Sequence, residues 1–122
     1  MSIPQINHFI SGASATGRSE RYSDVFNPAT GEVVAHVALA SVQEVDKAVA
    51  AARAAFPDWS ETSPLRRARV MFKFKELLEQ NHDKLAALIT REHGKVFSDA
   101  KGEVVRGIEV VEFACGIPHL LK

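Results

Sequence analysis

Along the first forty residues the apolar positions alternate, and from Ser41 onward they recur at helical spacing. Val33, Ala35, Val37 and Leu39 interleave with Val34, His36 and Ala38, the two-residue period of a strand. The run before them, Asn27-Pro28-Ala29-Thr30-Gly31-Glu32, is a turn: proline presets φ and glycine fits the position that needs a positive φ. A second turn, Gly12 to Gly17, is expected to separate His8-Phe9-Ile10 from Tyr22 to Phe26, so residues 8–39 read as extended hairpins.

Ser41-Val42-Gln43-Glu44 then fits a capping box, serine and glutamate each satisfying a free backbone N–H at a helix start. Val42, Val45, Val49, Ala52 and Phe56 form one apolar stripe on the helix that follows. A second helix opens at Ser63-Pro64, an N-cap and a first position that needs no N–H. Val70, Met71, Phe74, Leu77 and Leu78 face one way, and Arg66, Arg69, Lys73 and Glu76 face another. Asn81-His82-Asp83 interrupts the pattern, Leu85, Leu88 and Ile89 resume it, and Gly94 closes it. A last helix is expected from about Ser98 to Cys115, ended by Gly116 and Pro118.

The fold class is therefore α/β: N-terminal β-hairpins followed by three to four amphipathic helices. Residues 1–40 form the hairpin region and 41–122 the helical region of one partial domain. Two short hairpins cannot cover so much apolar helix surface. The helices are built to pack on a sheet that this chain does not contain.

Charge removes several function classes. Fifteen basic and fifteen acidic residues cancel, and no clustered basic face is available for a nucleic acid. No apolar run approaches the roughly 20 residues of a membrane span. The single cysteine, Cys115, cannot close an intramolecular disulfide, which fits a reducing compartment. A soluble, cytoplasmic segment is expected.

Four constellations invite chemistry. Gly12-Ala13-Ser14-Ala15-Thr16-Gly17-Arg18-Ser19 is one residue from a phosphate-cradling loop, with Arg18 where lysine belongs. The following Glu20 to Phe26 reads as strand rather than helix, so a hairpin loop is the better reading. Cys115 continues the stripe of Val104, Ile108 and Val111, and is assigned to packing rather than to nucleophilic attack. His82 and His93, near Asp83 and Glu92, lack the spacing that sets two metal ligands on one face and read as solvated helix-end residues. Arg106 is different. It falls three residues after Glu103, so an exposed ion pair between them is the plain expectation. Its neighbours Val104, Val105, Gly107 and Ile108 are apolar or small, and a guanidinium in a partly dry setting is a bidentate clamp for a carboxylate.

Asn27-Pro28-Ala29-Thr30-Gly31-Glu32, then Ala52-Arg53-Ala54-Ala55-Phe56 with Trp59, then Glu92-His93-Gly94-Lys95 with Ala100 and Glu103, resemble the N-terminal part of the aldehyde dehydrogenase superfamily. The order and spacing match from about Asn7 to Lys122. Ile6 to Gly12, Gly102 to Glu109 and Val111 to Gly116 are similar to the CoA-acylating methylmalonate-semialdehyde (malonate-semialdehyde) dehydrogenases. The resemblance implies the leading part of an NAD-binding domain in a larger homo-oligomeric oxidoreductase of valine and inositol catabolism. There a cysteine thiolate attacks the aldehyde, hydride passes to NAD, carbon dioxide is lost and coenzyme A takes the acyl group. The substrate carboxylate is held by arginines, and Arg106 stands where one of these is expected. Some relatives hold a monovalent cation with main-chain carbonyls and the acidic residue of the Glu-x-Gly-Lys run; Val25, Phe26 and Glu92 occupy those places. The nucleophile, its acid/base glutamate and the cofactor-gripping residues lie downstream in that family. This chain alone is therefore expected to bind neither NAD nor coenzyme A and to be inactive, with no catalytic, cofactor-binding or metal residue of its own. The competing expectation is a non-catalytic interaction module that buries Val49, Phe74, Leu78 and Ile108 by self-association or against a full-length relative.

Overall fold

The structure, a computed structural model, describes residues 3–121. It divides into two compact units, Met1–Trp59 and Ser60–Lys122.

In the first unit, β1 (Gln5–Ile6), β4 (Tyr22–Phe26) and β5 (Val33–Ala38) form a three-stranded sheet in the order β1-β5-β4. β4 and β5 pair antiparallel across the Asn-Pro turn, with a register irregularity at Val25/Phe26. The turn closes as its residues dictate. The Gly31 N–H donates to the Asn27 carbonyl at 2.8 Å, the Asn27 side chain accepts from the Ala29 N–H at 2.9 Å, and Gly31 takes φ 74°. β1 runs parallel to β5, a pairing too short to show in the apolar pattern.

The Gly12–Gly17 turn is corrected by the structure. β2 (His8–Ile10) pairs antiparallel with β3 (Ala13–Ala15), and the turn is the two-residue Ser11-Gly12. Both residues have positive φ, 55° and 76°, the requirement of the tight hairpin whose twist matches its strands. Gly17 instead sits where space is short: a Cβ there would lie 2.6 Å from the Ala38 Cβ and 3.4 Å from His8 Nε2.

The capping box forms at the start of α1 (Val42–Glu61). The Glu44 carboxylate accepts from the Ser41 N–H and hydroxyl, both at 2.8 Å, and the Ser41 hydroxyl accepts from the Glu44 N–H at 3.3 Å. Its other oxygen accepts from the Arg18 N–H at 2.7 Å, tying the segment after β3 to the helix. Glu44 is consequently buried, while Val42, Val45, Val49 and Phe56 of the expected stripe are exposed.

These donors, the Ser41 N–H foremost, lower the Glu44 carboxyl from 4.5 to about 2. A depressed carboxyl contributes stability that is fully present above its unfolded value and is lost as pH falls through the folded one. Protection of the Arg18 and Ser41 amides against hydrogen exchange should therefore decline between pH 4.5 and about 2. Glu44→Gln should weaken that protection at neutral pH and flatten its decline.

The second unit is helical: α2 (Pro64–Gln80), α3 (His82–His93), α4 (Phe97–Cys115) and a 3-10 turn at Ile117–Leu120. Ser63 caps α2, its hydroxyl accepting from the Arg66 N–H at 3.4 Å. Asn81 separates α2 from α3, and Gly94 ends α3 in the left-handed region at φ 77°. Ala86 and Ala100, both 0 % exposed, lie at the centre of the core with Val104, and Leu85, Ile89 and Ile108 pack around them. Alanines there let α3 and α4 approach closely. Among the described residues no helix is long and apolar enough to cross a membrane.

Candidate substrate-binding site

The candidate site lies on α4, in the second unit. Gly94 reverses the chain after α3, Val96 is extended at the N-cap position (φ −56°, ψ 136°), and Lys95 between them turns back over the new helix. Its ammonium donates to the Glu103 carboxylate. That bond, followed by the Lys95 charge and then by His93 and Arg106, holds the Glu103 carboxyl below its usual range despite partial desolvation.

The expected ion pair between Glu103 and Arg106 is thus not what forms. Glu103 is engaged by Lys95, and Arg106 is exposed without a hydrogen bond or ion pair among the described residues. Sequence spacing missed Lys95 because its partner lies eight residues away, outside any helical repeat.

An apolar groove of about 420 Å³ opens between α2, α3 and α4, and Arg106 does not line it. Its lining includes Phe74 and Leu78 from α2, Leu88 and Ile89 from α3, and Val104 and Gly107 from α4. A Cβ on Gly107 would meet nothing within 4 Å, so the bare backbone there keeps the groove wall low. Phe74 is exposed, while Leu78 and Ile108, expected on the outside in an isolated module, are half-buried.

Cys115 is buried, 5 % exposed, at the end of the α4 stripe. It packs as its position in the pattern implies. His82 is a correction: it is half-buried rather than solvated, with Nδ1 3.1 Å from Asp83 and Nε2 3.2 Å from the Lys101 carbonyl, so it joins α3 to α4. Asp83 also pairs with Lys101 at 2.8 Å. Glu92 is exposed and accepts from Arg91 at 3.1 Å. Among the described residues, no three His, Cys, Asp or Glu side chains gather as a metal site requires.

Residues 15–122 match the model of the aldehyde dehydrogenase family, and the chain belongs to that family. Within it, the similarity is to semialdehyde dehydrogenases. Malonate-semialdehyde dehydrogenase of Pseudomonas aeruginosa is 50 % identical over 117 residues, which is 96 % of this chain and 23 % of that enzyme. Methylmalonate-semialdehyde dehydrogenase of Oceanimonas doudoroffii superposes with a TM-score of 0.93 at 54 % identity, over 98 % of this chain and 24 % of the other. A Sinorhizobium meliloti protein assigned to the same activity and solved with NAD gives 0.94 at 53 %, over 99 % and 25 %. The chain spans about a quarter of the length of these relatives. The α/β arrangement of hairpins followed by four helices is the N-terminal part of their fold.

Proposed function

We propose that this chain is the N-terminal segment of an NAD-dependent, CoA-acylating methylmalonate- or malonate-semialdehyde dehydrogenase. In that reaction the aldehyde is oxidised to an acyl-CoA with loss of carbon dioxide. The observation that carries the reading is Arg106, an exposed guanidinium without a hydrogen bond or ion pair among the described residues. Its role would be to hold the substrate carboxylate through paired N–H donors and so fix the aldehyde end. Selection of semialdehydes over plain aldehydes would follow in part from that charge.

The glycine-bearing run of this chain is no cradle for NAD or coenzyme A. The glycine-bearing run from Gly12 to Gly17 leads from hairpin to strand, with no helix N-terminus behind it to receive a pyrophosphate. Both molecules, the nucleophile and the surfaces of a homo-oligomer belong to the remaining length of the proposed enzyme. A soluble cytoplasmic location suits these substrates.

The reading is tested by a fusion in which this chain replaces the matching 117 residues of the Pseudomonas aeruginosa enzyme. The fusion should reduce NAD with malonate semialdehyde and coenzyme A. A folded, oligomeric fusion with no such activity would contradict the proposal.

A further inference from the structure

On α4, Glu103 and Arg106 stand three residues apart, the spacing at which a carboxylate and a guanidinium meet on a helix surface. They do not pair, because Lys95 arrives from outside the helix and takes the carboxylate. Its arrival depends on the left-handed Gly94 and on the extended Val96, which together send the chain back across the first turns of α4. The charges around Glu103 are Lys95, His93 and Arg106, so removal of Lys95 leaves Arg106 and His93 as the cations to which the carboxylate can turn. A guanidinium drawn onto Glu103 is partly neutralised and badly aimed for a second carboxylate.

We propose that Lys95 is a positioning residue: by occupying Glu103 it keeps the guanidinium of Arg106 unpaired and available to the carboxylate of the substrate. The proposal rests on the reading of Arg106 given above. Glu103 is then an internal competitor for the substrate-binding charge, and Lys95 its restraint. Gly94 contributes by setting the backbone course that brings the ammonium into place.

The test is a set of variants in the fusion enzyme, assayed with malonate semialdehyde and with propanal, which has a methyl group in place of the carboxylate. An exposed ion pair on a helix competes with about 0.2–1 kcal/mol, so Lys95→Gln should raise KM for malonate semialdehyde by roughly 1.5- to 5-fold. Its kcat, and both constants for propanal, should stay near those of the parent. Glu103→Gln added to Lys95→Gln should return KM to the parent value, because the competitor is gone. A purely structural role for Lys95 predicts losses with both substrates and no rescue, and that pattern would overturn the proposal. Arg106→Leu separates the two readings. If it leaves KM for malonate semialdehyde unchanged, the substrate role of Arg106 falls and this proposal with it. If it raises KM while Lys95→Gln does not, Arg106 keeps its role and the restraint by Lys95 is refuted.

Discussion

Arg106→Leu in the fusion enzyme should lower kcat/KM for malonate semialdehyde by roughly 10- to 150-fold, the value of a charge-assisted hydrogen-bonded contact of about 1.5–3 kcal/mol. The loss should appear mainly in KM, because the carboxylate is held equally in the ground state and the transition state. Propanal offers nothing for the guanidinium to hold, so its kcat/KM should be nearly unchanged. Steady-state kinetics with the two aldehydes measure the difference directly. The guanidinium makes no hydrogen bond or ion pair among the described residues, so its removal should leave the fold intact. A loss of equal size with propanal would show that Arg106 acts on the fold or on a shared step, and not on the carboxylate.

The 122-residue chain by itself should reduce no NAD with malonate semialdehyde, at any concentration of coenzyme A. Its one thiol, Cys115, is only 5 % exposed in line with an apolar stripe, where an aldehyde cannot reach it. The complementary result is expected in the fusion. Cys115→Ala there should leave kcat essentially unchanged while costing about 1 kcal/mol of stability, the usual consequence of trimming a small buried side chain. Progress curves at 340 nm and a denaturant titration check the two halves. The same isolated chain carries exposed Val42, Val49 and Phe56 on α1 and, in its second unit, an open groove beside Phe74. Association into a monodisperse oligomer with a cooperative melt would favour the interaction module, and aggregation or a molten state would favour the enzyme segment.

The helices were legible because each carries its own punctuation. Ser41 with Glu44, Ser63 with Pro64, and Gly94 mark ends by local chemistry, and the bonds they imply are present. Cys115 was legible for a related reason: helical periodicity places it in line with Val104 and Ile108, and all three turn inward to different degrees. The strands were less so. β1 pairs through two residues, and the tight Ser11-Gly12 turn is disguised because serine, not the usual asparagine or aspartate, takes the first positive φ. What the pattern could not show was pairing across a chain reversal. Glu103 and Arg106 suggested an ion pair by spacing alone, and only the course of the backbone through Gly94 and Val96 brings Lys95 in first. His82 was misjudged for the same reason: its partner is a carbonyl 19 residues away on α4. The relation to semialdehyde dehydrogenases rested on several short runs in fixed order, and it agrees with the relatives the chain resembles at 50–54 % identity.

The most direct measurement is NAD reduction by the purified fusion in the presence of malonate semialdehyde and coenzyme A, with the 122-residue chain assayed beside it. The account predicts sustained turnover by the fusion, a strong preference for malonate semialdehyde over propanal, and a flat trace from the chain alone. A well-folded fusion that is silent with malonate semialdehyde, or that turns over both aldehydes equally well, would contradict it.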